Sequence, residues 1–100
     1  MDAERIRHTV AFALVHPPES DDERDFLEAA ERLAAIPGVE AFAILTEVSP
    51  KNDFRFGISM EFADLAAYER YNTHPDHVRF VEDRWLPEVS DFLEIDYTAR

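Results

Sequence analysis

Large and small side chains alternate from Ile6 to Val15, and the alternation predicts a strand with Ile6, His8, Val10, Phe12 and Leu14 on one face and Thr9, Ala11, Ala13 and Val15 on the other. Pro17-Pro18 ends it. Ser20-Asp21-Asp22-Glu23 is a capping-box pattern with acids at the positive end of a helix dipole, and Phe26, Leu27, Ala30, Leu33 and Ala34 follow at helical spacing until Pro37-Gly38. A second strand is expected over 39–48, then a polar turn at 49–53 that suits a hairpin. Phe54, Phe56, Ile58, Met60 and Phe62 alternate with small or polar residues, the clearest period-2 run in the chain. Asp64 caps a helix carrying Leu65, Tyr68 and Tyr71 or Asn72. That helix breaks at His74-Pro75, resumes through Val78, Val81, Trp85 and Leu86, and is expected to end at Pro87. A last strand over 91–97 sets Phe92, Glu94 and Asp96 opposite Leu93, Ile95 and Tyr97.

The order β-α-β-β-α-β predicts a ferredoxin-like α+β fold: a four-stranded antiparallel sheet with two helices on one face, read as a single domain over 1–100. The other sheet face carries apolar side chains such as Ala11, Ala13 and Val15, which a monomer would leave wet. Two sheets packed face to face would cover them, so a homodimer closed into an α/β barrel is expected. Chain length agrees, because 100 residues that are 46% apolar bury only about 60–65% of their unfolded surface and gain from a partner.

The break in the second helix is also where acid/base groups gather: Tyr71-Asn72-Thr73-His74-Pro75-Asp76-His77. On an unbroken helix residues 71 and 77 would lie roughly 120° apart around the axis, so one pocket holds both only if the axis bends. Pro75 supplies the bend. His74, just before a helix-initiating proline, reads as a cap of the following turn.

Composition removes other chemistries. The chain has no cysteine, which excludes disulfides and thiolate catalysis. His74-x-x-His77 has no recognisable third ligand and Pro75 distorts its turn, so neither metal nor organic cofactor is expected. Twenty-two acidic against ten basic residues give a net charge of −12, which argues against nucleic-acid or anionic membrane partners. No apolar run approaches a membrane span, and Met-Asp-Ala-Glu-Arg lacks the basic-then-apolar order of a secretory leader, so a cytoplasmic location is expected.

Arg7-His8-Thr9-Val10-Ala11-Phe12, the Tyr-x-x-His-Pro-x-His run at 71–77 and the closing Ile95-Asp96-Tyr97 together resemble the stress-responsive A/B barrel (Dabb) domains of the dimeric α+β barrel group, nearly end to end. The resemblance implies a stress-associated dimer. It also implies a route to chemistry, since a plant polyketide cyclase of that family performs an aldol condensation without metal or organic cofactor. Its catalytic tyrosine matches Tyr71, the histidine after its His-Pro step matches His77, and its first-strand histidine matches His8.

On the residues themselves, His77 is the candidate general base, because an imidazole is partly neutral at pH 7. Tyr71 is the candidate donor to a carbonyl oxygen that becomes enolate-like. His8 would orient the substrate or the other histidine. Phe26, Phe54, Phe56, Ile58 and Trp85 are the expected pocket lining for an apolar or aromatic carbonyl ligand. Three functions fit: a carbonyl-binding protein with cofactor-free lyase, cyclase or isomerase activity; a non-enzymatic dimeric ligand-binding or structural protein; and a cofactor-independent oxygenase.

Overall fold

Strands β1 (Ile6–Leu14) and β3 (Phe56–Phe62) form the centre of an antiparallel sheet, flanked by β2 (Glu40–Thr46) beside β3 and β4 (Val89–Thr98) beside β1. These elements come from a computed structural model that describes residues 4–100, so the reading of the first residues lies in part outside the described residues. The expected ferredoxin-like arrangement is present. Ile6 faces Phe62, His8 faces Met60, Val10 faces Ile58 and Phe12 faces Phe56, which stacks the large residues of both central strands on one side.

Helix α1 (Asp21–Glu31) starts at Ser20, whose hydroxyl accepts from the Glu23 N–H at 3.1 Å. The reciprocal bond of the capping box shifts one residue outward: Glu23 Oε1 accepts from the N–H of Glu19, at φ 65°. A 3-10 turn over Arg32–Ala35 and Gly38 at φ 92° lead into β2. Phe26 and Ala30 of α1 sit in the core with Phe12, Phe56 and Phe62. Phe12, Phe26, Phe62 and Met60 are the largest fully buried side chains, each contributing about 1.5–3 kcal/mol relative to exposure.

Three expected boundaries move. β3 begins at Phe56 rather than Phe54, because Asn52 Oδ1 accepts from the Phe54 N–H at 2.9 Å and holds that residue in the turn. The second helix is three pieces, α2 (Leu65–Thr73), α3 (Pro75–Phe80) and α4 (Leu86–Glu88), with a π turn at Val81–Trp85. Pro75 gives α3 a new axis, so the phase carried over from α2 fails: Val78 is exposed and Phe80 packs on Phe26, ring centroids 5.6 Å apart. Pro87 lies inside the last piece of the run, α4, and the chain enters β4 only at Val89.

The opposite sheet face is lined by Thr9, Ala11, Ala13, Gly57 and Ser59 from the centre strands, opposite Leu93, Ile95 and Tyr97 of β4. Those β4 side chains, with Leu45 of β2, are exposed. No described helix is long and apolar enough to cross a membrane.

Candidate active site

The kink creates the site. Asp64 caps α2, its Oδ1 accepting from the Ala67 N–H at 2.8 Å, and the helix runs to Thr73. His74 then leaves the helical region at φ −63°, ψ 135°, while its Nδ1 accepts from the Asp76 N–H at 3.1 Å and starts α3. The bend carries His77 back over the end of α2, so the Tyr71 and His77 rings lie 4.4 Å apart, tilted by 53°. The two residues that an unbroken helix would have separated are neighbours.

The hydrogen bonds fix which atoms are available. Backbone carbonyls only accept, so the 3.1 Å contact between His77 Nδ1 and Asn72 O puts the proton on Nδ1 and leaves the lone pair on Nε2. Burial lowers the His77 pKa below the ordinary histidine value; the Asn72 carbonyl opposes this, and charge on His8 or His74 adds to it. The base form therefore dominates at neutral pH. Tyr71 is 2% exposed, and its side chain has no hydrogen-bond partner among the described residues. Burial raises its phenol pKa well above the usual tyrosine range, with Tyr68 and the Glu94 charge adding to this, so it remains a donor.

His8 stands across the cavity from β1. Its Nδ1 lies 2.6 Å from Asp96 Oδ1, and Tyr68 donates to Asp96 Oδ2 at 2.8 Å. A carboxylate only accepts, so Nδ1 carries the hydrogen and Nε2 is again the uncommitted atom. The Tyr68 oxygen is also 3.1 Å from Nδ1, a secondary contact since that hydrogen points at Asp96. Burial, then the bond to Asp96, raises the Tyr68 phenol.

His8, Tyr71 and His77 border one cavity of about 240 Å³ between the sheet and the kinked helix. Asn72 and Glu94 complete its polar end, and Leu33, Ile58, Val81, Trp85 and Phe92 are among its apolar walls. Among the expected lining residues, Ile58 and Trp85 reach it. Phe26 and Phe56 do not: they are buried around Phe12, whose ring stands between the two. Phe54 is remote from it, at the β2–β3 connection beside Val48 and Pro50, because β3 starts two residues late.

Asp96, Glu94 and Tyr68 have no site role in the sequence reading, although Asp96 lies in the closing segment that carries the family resemblance. The signal was the alternation of β4, which puts Phe92, Glu94 and Asp96 on one face; pairing β4 with β1 then sets Asp96 against His8 and Glu94 against Val10. Potential metal-ligating atoms of His8, Glu94 and Asp96 lie within 4.8 Å of one another. Two of the three groups are already satisfied by the His8–Asp96–Tyr68 bonds, a donor set that fits a proton network better than an ion.

The family model for the stress responsive A/B barrel domain, Dabb, matches residues 6–99. The chain belongs to the Dabb family. A solved Dabb protein with a ferredoxin-like fold from Mesorhizobium loti is 58% identical, with 97% of this chain and 98% of that one covered and a TM-score of 0.94. At 21% identity, a dimeric ferredoxin-like protein of unknown function from Thermobifida fusca superposes with a TM-score of 0.81 over 97% of this chain and 92% of its own. The hydroxynitrile lyase of Passiflora edulis shares the fold at 16% identity, TM-score 0.85, over 97% of this chain and 94% of its own. No curated protein matches the sequence. Two of the proteins that share this fold are thus a dimer of unknown function and a lyase, and they fix the architecture rather than the activity.

Proposed function

We propose that this Dabb protein binds a small apolar or aromatic carbonyl compound beneath its kinked helix and acts on it as a cofactor-free lyase, cyclase or isomerase. The observation that carries the reading is the meeting of His77 and Tyr71 over the cavity, one with a free Nε2 lone pair and the other with an uncommitted hydroxyl. His77 Nε2 removes a proton from a carbon or hydroxyl of the substrate. Tyr71 donates a hydrogen bond to the carbonyl oxygen as charge develops on it. His8, held by Asp96, presents Nε2 to orient the substrate. An apolar cavity of about 150 Å³ accommodates benzene, so about 240 Å³ suits one ring with a short chain. That the same fold houses a hydroxynitrile lyase supports the class of reaction.

The apolar outer face of the sheet supports a homodimer through that face. Leu45, Leu93, Ile95 and Tyr97 are exposed there beside small residues that let a second sheet approach, and dimeric relatives share the fold.

The test is proton exchange. Wild-type protein incubated with phenylacetone in D₂O should exchange the benzylic hydrogens, followed by ¹H NMR. His77→Ala should slow this about 100-fold or more, the range of a general base, and Tyr71→Phe should slow it with little change in folding. Binding of the ketone without exchange above the buffer rate would leave a non-enzymatic ligand-binding dimer.

A further inference from the structure

Three carboxylates lie in the core or near the cavity's polar end, Glu23 buried and Glu94 and Asp96 exposed, and they are treated differently. Glu23 is buried but meets Arg55 at 3.2 Å and the Glu19 N–H at 2.9 Å. Asp96 holds His8 and Tyr68. Glu94 borders the cavity and has neither a hydrogen bond nor an ion pair among the described residues. Its register against Val10, an inner-face residue, keeps it on that side of the sheet. Among the described residues no lysine or arginine lines the cavity.

The Glu94 carboxylate stands within 4.8 Å of ligand atoms of both His8 and Asp96, at the end of the cavity where a carbonyl would be handled. A ligand whose reacting end carried a carboxylate or phosphate would meet the Glu94 carboxylate on the cavity wall, with Asp96 close by and bonded to His8 and Tyr68, and no lysine or arginine among the described lining residues. We propose that Glu94 determines ligand charge: the cavity admits carbonyl compounds that are neutral or cationic at the reacting end and rejects their anionic counterparts. The physical basis is like-charge repulsion from a carboxylate that is exposed, and so partly screened, but has no bonded partner among the described residues. The Glu94 charge is felt across the site, since it helps to raise both the Tyr68 and the Tyr71 phenol. The assignment rests on the carbonyl-binding reading above and gives its substrate class.

Benzoylformamide and benzoylformate have the same shape and differ by one charge, so they isolate the effect. Isothermal titration calorimetry on wild type and Glu94→Gln, both checked for folding by circular dichroism, reads it directly. Wild type should bind the amide about tenfold more tightly than the acid, and Glu94→Gln should reduce that gap to about threefold or less. 2-Amino-1-phenylethanone (phenacylamine), with an ammonium beside the same carbonyl, should lose affinity in the variant. Equal binding of amide and acid to wild type, or a gap that Glu94→Gln leaves intact, overturns the charge assignment while the carbonyl site stands. Failure of all three compounds to bind either protein overturns both readings.

Discussion

Two histidine–carboxylate pairs of nearly equal length join the first strand region to the end of the chain. His8 Nδ1 meets Asp96 Oδ1 at 2.6 Å, and His16 Nε2 meets Glu88 Oε1 at 2.7 Å. Their surroundings differ. The second oxygen of Asp96 accepts from the neutral Tyr68 hydroxyl, and the free His8 nitrogen belongs to a ring that borders the cavity. Glu88 gives its second oxygen to Arg84, whose guanidinium also reaches Asp25 of α1 at 2.8 Å and lies over the Phe26 ring. One pair orients a ring at the cavity; the other is part of a clamp tying the loop after β1, α1, the π turn and α4 together. Distance does not separate a site from a brace. What each group leaves uncommitted does.

Breaking the clamp should have the larger effect on stability. Arg84→Ala leaves the largely buried Glu88 with His16 alone as a side-chain partner among the described residues and removes a cation from the Phe26 face, so a loss of about 2 kcal/mol is expected. Thermal and urea unfolding would measure it. Ligand affinity in the remaining folded protein should hardly change, because none of these groups borders the cavity at its polar end. A variant that loses binding without losing stability would erase the distinction between the two pairs.

Asp96→Asn should do the reverse. The lost charged acceptor costs about 1 kcal/mol, since Asp96 is partly exposed and the neutral amide still accepts one bond. The His8 ring, however, is no longer held to one tautomer, so its ¹⁵N spectrum should change from a single Nδ1–H form to a mixture, and affinity for the neutral probe should fall. Glu88→Gln should leave the His8 spectrum untouched. If both variants alter His8 alike, the pairs are coupled and the comparison fails.

The fold was largely legible in the residue pattern, and the site only in part. Period-2 alternation on β1 and β3 and the capping signals of Ser20 and Asp64 report local geometry, which a sequence carries directly. Tyr71, His77 and His8 were readable because one proline gathers the first two and an apolar strand face carries the third. Asp96 and Glu94 have no site role in the sequence reading because their roles come from the pairing of β1 with β4, about 88 residues apart in the His8–Asp96 case, and such pairing is a tertiary fact. Phe54 was misplaced by an Asx bond that shifts a strand boundary by two residues, and Val78 by the restart of helical phase at Pro75. In each case a period was carried across a point where the backbone resets it.

Acid titration should resolve the two regions by order rather than by size. His77 has a depressed pKa in the folded protein, so the unfolded chain takes up its proton first as pH falls. The stability this group contributes is full above about pH 6.5, the unfolded value, and is lost as pH drops through the folded pKa. Glu88 is also depressed, chiefly by its bond to Arg84, so its contribution persists to lower pH: it is full above about pH 4.5, the ordinary carboxylate value, and is lost as pH falls from there through the folded pKa. Unfolding free energy measured from pH 8 to 3 should therefore decline in two stages, with His77→Ala removing the first and Arg84→Ala the second. Proton exchange of the substrate should fall with the first stage alone, because it needs the neutral His77 ring and not the clamp. Exchange that survived until the second stage would shift the base from His77 to a carboxylate, with Glu94 and Asp96 the groups at hand.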